Sequence, residues 1–320
     1  MKKVSILMPL YNAEQFVAET IECCLAQTYH NIELIIVDDG STDNSLAIAK
    51  KYAEQDERIH VYTQKNSGGC RARNVAFEKC TGDYIKYLDA DDLMSPNLIE
   101  KQMALLEKEN NPYAVSVCAW EEVNDFNKIP HTHRNIYKNY ELGLDLIEDA
   151  WNYNEWYVVS CYLTSKELIK DTGLWDESLL KNQDTEFFCR VLTKANKIIF
   201  ENQEMFYYRR GHISVSTFKS FDNNRIQSMF DARKKSIDLV MASKNTPRIR
   251  RGAAKFYSSM LLTASYGSIL YKKVCNEIAL LNEKPCHPSP STFVKLLESV
   301  IGFNNLMLIK KIIRKFHSHK

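Results

Sequence analysis

A chain of 320 residues with 45% hydrophobic and 26% charged side chains is an ordinary globular composition, long enough for one large domain with an appendage or for two domains. Nine cysteines without a C-x-x-C pair argue against a zinc module and against a disulfide framework. The net charge of +2 conceals an asymmetry: residues 221–320 hold 18 Lys+Arg against 6 Asp+Glu, a balance of +12, which leaves −10 for residues 1–220. An acidic body suits cations, and a basic end suits an anionic partner such as a lipid headgroup surface. Lys2 and Lys3 precede an apolar run of only seven residues, too short for a signal peptide, and there is no N-x-S/T acceptor. The longest uncharged stretch, Phe256 to Tyr271, is short for a bilayer span and reads as a buried helix. A reducing cytosol is the expected compartment.

Val4-Ser-Ile-Leu-Met-Pro reads as a buried strand closed by Pro9, and Phe16, Ile21, Cys24 and Leu25 then fall at helical spacing. Ile32 to Val37 is near-continuously apolar, as expected of a strand in a parallel sheet covered on both faces. It runs into Asp38-Asp39-Gly40-Ser41-Thr42-Asp43, after which a helix to about Glu54 and a strand at Ile59–Thr63 are predicted. Asn66-Ser-Gly-Gly-Cys-Arg-Ala-Arg-Asn74 is a glycine turn entering a helix. Residues 84–93 are an apolar strand ending in Asp89, Asp91 and Asp92.

Strand alternating with helix over about 90 residues predicts βαβ units and a mostly parallel central sheet flanked by helices, an α/β fold. There is no GxGxxG after the first strand and no Walker lysine loop, so dinucleotide and P-loop readings are poor. Further on, the pattern predicts a helix from about Pro96 to Asn110, a strand over Ala114–Trp120, a mobile loop over 121–140 and a helix over 141–151. A strand over Trp156–Leu163, a turn-rich segment over Leu168–Leu180, a helix opening at Gln183, and short strands at Lys197–Glu201 and Met205–Arg209 follow. From about 222 the chain reads as helical, interrupted at Pro247 and at Pro285–Pro290. Charge and periodicity both change near 218–222, which sets the expected domains at 1–220 and 221–320.

Three acidic clusters are expected at ligand-facing ends of elements: Asp38/Asp39, Asp89/Asp91/Asp92, and Asp184 with Glu186. Each has an ordinary structural explanation, since Asp favours turns, helix N-caps and the positive end of a helix dipole. Two clusters that follow parallel strands of one sheet nevertheless share one crevice, the place where open α/β sheets bind ligands. Carboxylates two residues apart there suit a hard divalent cation that also holds substrate phosphates.

With these motifs in order and spacing, the chain resembles a family 2 glycosyltransferase with the A-type nucleotide-sugar-binding fold. The matching stretches are Val4 to Asn12, Ile36-Val-Asp-Asp-Gly-Ser-Thr-Asp-Asn-Ser, Asn66-Ser-Gly with Ala72-Arg-Asn, and Gly82-Asp-Tyr-Ile with Leu88-Asp-Ala-Asp-Asp. Gly173-Leu-Trp-Asp-Glu, Asp184-Thr-Glu-Phe, and Tyr208-Arg-Arg with His212 and Ser214 resemble the acceptor half, so the likeness covers roughly residues 4–218. It implies that Asp39 accepts a hydrogen bond from the donor's base, with Pro9 and Tyr11 lining that pocket. It implies further that Asp89 holds the ribose, that Asp91 binds Mn2+ or Mg2+ bridging the donor diphosphate, and that Arg73 orients the nucleotide or neutralises its charge. Asp184 would be the general base, and Asp92 would hold the loop. His212 would complete the metal shell or contact the diphosphate; an ordinary loop histidine is the competing reading.

This sequence departs from the family pattern in two places. Gln183 stands where members often carry Glu, which should leave the pKa of Asp184 less raised, and Gly211 is inserted before His212. After the proline cluster, Leu306, Ile309, Ile313 and Phe316 share one face of a possible helix whose other face carries Lys310, Lys311, Arg314 and Lys315. Such a helix lies in a membrane interface or packs with its charges solvated. No nucleic-acid motif accompanies the charge.

The expected function is metal-dependent, inverting transfer of a sugar from a UDP- or dTDP-linked donor to a surface glycan or polyprenyl-linked acceptor. The expected location is cytoplasmic, with peripheral attachment to the inner face of the cell membrane. The rivals are a sugar nucleotidyltransferase and a nucleotide-sugar-binding protein without catalysis. The first would carry a Gly-rich, Arg-containing loop where Pro9-Leu-Tyr-Asn stands.

Overall fold

The computed structural model describes residues 1–124, 127–128, 133–209, 223–262, 264, 266–287 and 292–309. The first third alternates strand and helix: β1 (Val4–Leu10), α1 (Val17–Leu25), β2 (Ile32–Asp38), α2 (Ser45–Ala53), β3 (Ile59–Thr63), α3 (Gly69–Lys79) and β4 (Tyr84–Tyr87). These four strands are parallel in the order β3-β2-β1-β4, with Val4 opposite both Ile32 and Tyr84. Every residue of β2 is buried, which is why its sequence is apolar without alternation.

The chain continues through β5 (Leu93–Met94), α4 (Leu98–Glu109), β6 (Ala114–Asn124), β7 (Asn127–Lys128), α5 (Gly143–Tyr153), β8 (Tyr162–Ser165), α6 (Lys166–Thr172), α7 (Gln183–Lys194) and β9 (Lys197–Arg209). β8 is antiparallel to both of its neighbours, β4 and β6, and β9 runs parallel to β6 with a register shift at Cys118/Ala119. β1 to β4, β6 and β9 therefore share one direction, while β5, β7 and β8 oppose it.

Five local expectations need correction. The strand expected over 84–93 stops at Tyr87: Leu88 N–H still bonds to Leu7 O, then Asp92 N–H bonds to Asp89 O and closes a turn. The carboxylates thus sit on a turn beyond the strand, and Leu93–Met94 begins a separate strand against β9. The two short strands expected over 197–209 form one strand, whose pairing with β6 skips residues 202–204 at a register shift. The segment 121–140 is not simply a loop, since β6 runs to Asn124 and Ile136, Tyr137 and Tyr140 are buried. The strand expected over Trp156–Leu163 begins only at Tyr162, after a 3-10 turn at Val159–Cys161. The uncharged stretch 256–271 is broken, because Gly267 adopts φ +79 and Ser268 caps a new helix by accepting from Tyr271 N–H.

The last third holds α8 (Asn223–Ser243), α9 (Pro247–Leu261), α10 (Ile269–Leu280) and α11 (Thr292–Ile301). Pro247 opens α9 rather than breaking it, behind the Thr246 hydroxyl, which accepts from Ile249 N–H. α8 packs along α7 and α9 along α5, where Trp151 and Phe256 stack 5.5 Å apart. The buried apolar residues from Val4 to Met307 form one cluster. No helix among the described residues is long and apolar enough to cross a membrane.

The N-terminal end of the sheet is closed by a buried carboxylate. Glu33 accepts from Ser5 Oγ (2.5 Å), Thr81 N–H (2.6 Å), Thr81 Oγ1 (2.7 Å) and Gly82 N–H (3.0 Å), and pairs with Lys3 at 2.7 Å. A Cβ at Gly82 would lie 2.8 Å from Ser5 N and 2.9 Å from Lys3 O, which is why only glycine fits that strand entrance.

Candidate active site

β1 has β2 on one side and β4 on the other, so its C-terminal end is a topological switch point with a crevice above it. Pro9 lies opposite Val37 one residue before β1 ends at Leu10, and Tyr11 follows the strand, half-buried. Across the crevice, Asp38 caps its own turn by accepting from Gly40 N–H (3.2 Å) and Ser41 N–H (3.2 Å), with Gly40 at φ +76. Asn12 Oδ1 accepts from Thr42 N–H at 2.8 Å and Ala13 N–H donates to Ser45 Oγ at 2.7 Å, so the β1 and β2 loops are stitched together.

Asp39 is 4% exposed and braces the next loop. It accepts from Gln64 Nε2 (2.7 Å), Ser67 N–H (2.7 Å) and Gly68 N–H (2.8 Å). Of about four lone-pair positions on a carboxylate, three are taken, leaving one for a ligand.

The Asp89–Asp92 turn divides its carboxylates. Asp89 Oδ1 accepts from Arg73 Nη2 at 2.6 Å, and the buried guanidinium lies over the Trp175 ring at 4.7 Å. Asp92 is buried and accepts from Arg209 N–H at 2.9 Å; burial, then Asp91 and Asp89, push its carboxyl well above the usual range. Asp91 is half-buried, and its carbonyl accepts from Arg209 Nε at 3.0 Å. Arg209 also reaches Glu19 on α1 at 2.6 Å and lies over Phe16, so it ties β9, α1 and the turn into one unit.

Asp184 sits in the first turn of α7, after Asn182 in the left-handed conformation. Burial raises its pKa, the Thr185 N–H and Arg73 act against the rise, and Asp89 adds to it. The guanidinium of Arg73 thus feels carboxylates from the β4 turn and from α7 at once. Gln183 points elsewhere: its Nε2 donates to Leu179 O at 2.9 Å, a bond that Glu could not donate. The approach to α7 is fixed by Asn74, which exchanges hydrogen bonds with the Trp175 backbone (2.9 and 3.0 Å), and by Trp175 stacking on Phe187 at 4.1 Å.

The model of the glycosyl transferase family 2 matches residues 5–172, just over half of the chain. The chain belongs to glycosyl transferase family 2. It is 33% identical over 226 residues to an uncharacterized glycosyltransferase of Haemophilus influenzae, covering 68% of this chain and 84% of the relative. It is 27% identical over 289 residues to glycosyltransferase GlyG of Streptococcus pneumoniae, covering 87% and 95%.

Among solved structures it resembles residues 1–349 of S. aureus TarS in complex with UDP-GlcNAc, with a TM-score of 0.69, 18% identity, and coverage of 87% and 81%. It also resembles a Pyrobaculum calidifontis mannosyltransferase in complex with GDP-Man and Mn2+, with a TM-score of 0.56, 14% identity, and coverage of 97% and 87%. At those identities the likeness is one of fold, and the fold is the A-type glycosyltransferase architecture.

In this family 2 glycosyltransferase, the structure brings Arg73, Asp89 and Asp184 into one electrostatic cluster from α3, the β4 turn and α7. Asp91 lies on the same turn, and Pro9, Tyr11 and Asp39 lie at the C-terminal ends of the neighbouring strands β1 and β2. His212 lies outside the described residues. No group of three or more His, Cys, Asp or Glu able to hold a metal occurs among the described residues. The carboxylate of Asp91 is the kind of hard oxygen donor that Mg2+ or Mn2+ takes alongside substrate phosphates. The sequence reading missed the tie made by Arg209, because its partners lie 117, 118 and 190 residues away. It missed Asn74 and Trp175 for the same reason, although both stand inside motifs it quoted.

Proposed function

We propose that this glycosyltransferase transfers a sugar, with inversion, from a UDP- or dTDP-linked donor to a hydroxyl of a surface glycan or polyprenyl-linked oligosaccharide. The observation that carries the proposal is the shared guanidinium: Arg73 is ion-paired to Asp89 and acts on the raised carboxyl of Asp184. One cation thereby couples the donor side of the crevice to a half-buried carboxylate suited to accept a proton.

In this reading Pro9, Tyr11 and the remaining lone pair of Asp39 receive the base, Asp89 receives the ribose and Arg73 neutralises donor charge. Asp91, with His212 as a candidate second ligand, would hold Mn2+ or Mg2+, which would supply Lewis-acid stabilisation of the departing diphosphate. Asp184 accepts the proton of the acceptor hydroxyl as it attacks from the opposite face, and holding both substrates in one crevice orients that attack. The retained carboxylate at Asp184 speaks against a binding protein without catalysis, and Pro9-Leu-Tyr-Asn after β1 speaks against a sugar nucleotidyltransferase. The nucleotide sugars in the TarS and mannosyltransferase complexes support the donor class, and the Mn2+ of the latter supports the metal.

We assign residues 1–220 to the transferase domain and 221–320 to a basic helical region that meets anionic lipid at the inner face of the cell membrane. The +12 balance of that region supports the assignment. The test is nucleoside diphosphate release from a panel of UDP-, dTDP- and GDP-sugars with Mn2+. One UDP- or dTDP-sugar should be turned over, EDTA should stop turnover, and Mn2+ or Mg2+ should restore it. A protein that binds and turns over no donor contradicts the proposal.

A further inference from the structure

Of the four tryptophans, Trp120, Trp151 and Trp175 are buried, whereas Trp156 is 54% exposed. An exposed indole on a loose loop would need no explanation, but this one is held. Its carbonyl accepts from Trp120 Nε1 at 3.2 Å. On one side of it, Glu155 accepts from Asn135 Nδ2 at 2.7 Å and Ile136 N–H at 3.2 Å. On the other, Tyr157 is buried, donates to Ile136 O at 2.9 Å and stacks on Tyr137. Both neighbours are anchored, and the ring between them faces solvent.

The register places this ring at the reactive end of the sheet. β8 is antiparallel to β4, with Ser165 opposite Tyr84 and Thr164 opposite Ile85. Continuing that pairing puts Tyr162 level with Tyr87, so the chain enters β8 from the end of the sheet at which β4 runs into the Asp89–Asp92 turn. Trp120, to which Trp156 is bonded, lies on β6 beyond Val117, the partner of Tyr162, and its ring meets Tyr208 edge-on. Tyr162 stacks on Phe188 at 3.8 Å, and Asp184 is one helical turn before Phe188.

We infer that Trp156 is the stacking platform for a pyranose ring of the acceptor glycan. This rests on the transferase reading above and names the acceptor side of that site. A sugar ring presents an apolar C–H face and hydroxyl edges, and an indole offers a flat apolar face with one N–H donor at its rim. A large aromatic ring held out into water at a binding rim is where binding energy concentrates.

The test uses the full chain on an array of immobilised glycans, comparing wild type with Trp156→Ala and Trp156→Phe, alongside donor turnover to water. Wild type should bind at least one class of pyranose glycan. Trp156→Ala should weaken that binding about tenfold or more, the scale of a lost aromatic anchor. Trp156→Phe should retain most of it, and donor turnover to water should be unchanged in both. Because the other three indoles are buried, acrylamide quenching of tryptophan fluorescence reports Trp156, and a bound glycan should protect it. Equal glycan binding by Trp156→Ala, or no glycan binding by wild type, overturns the inference while leaving donor turnover to judge the transferase reading.

Discussion

The two ends of the same sheet treat buried carboxylates in opposite ways. At the N-terminal end burial alone would raise Glu33, but Lys3, Ser5 and Thr81 outweigh it and hold the carboxyl at about 2. At the C-terminal end burial prevails, and Asp92 and Asp184 are both raised. Glu33 has a donor for each available position, whereas Asp184 has the backbone N–H groups of Thr185 and Asp184 and the field of Arg73 to set against its burial. The lower end is built for stability, and the upper end leaves its charges undercompensated, as sites that bind cations and move protons do.

Removing either side of that contrast should give different signatures. Glu33→Ala strands several buried donors and Lys3, and should cost about 3–5 kcal/mol in denaturant unfolding, the usual loss on breaking a buried pair. The same group sets a pH dependence. Its folded pKa lies below the reference value of 4.5, so its stabilisation is complete above 4.5 and is lost as pH falls towards about 2.

Arg209→Ala should cost less, about 1–3 kcal/mol, since it removes bonds to Asp91 O and Glu19 while the backbone bond to Asp92 remains. Titration of Mn2+ against turnover should also show weaker activation, because the Asp91 turn is no longer held. Gln183→Glu should cost about 0.5–1.5 kcal/mol through the lost bond to Leu179 O. The added negative charge should move the acid limb of the pH–rate profile upward.

Asp184→Asn should have the smallest effect on stability and the opposite sign. A raised folded carboxyl costs stability progressively as pH climbs from the reference value of 3.8 through the folded pKa, so the amide should raise the melting temperature at neutral pH and not at acid pH.

The first 80 residues were legible because each element there announces itself locally: the strand at Ile59–Thr63 lies where it was expected, and β2 differs from its expectation by one residue. The carboxylate turns were legible as motifs, but the end of β4 was not. Leu88 continues the apolar run, and only the bond from Asp92 N–H to Asp89 O reveals the turn. β9 is one strand, yet its pairing with β6 stops at Glu201 and resumes at Met205, so the two expected strands match its two paired stretches. Tyr137 and Tyr140 were read as loop residues because their burial depends on contacts with Trp120, Phe200 and Ile198, which leave no local period. Gln183 was read as a lost charge beside the base, whereas its amide holds the loop before α7.

The most direct test of Asp184 as the base is to measure donor affinity and turnover of Asp184→Asn side by side with wild type. The account predicts turnover lower by about 10²–10⁴-fold, the usual contribution of a positioned base, with donor affinity unchanged. Donor affinity lost together with turnover, or turnover that survives the change, would contradict it.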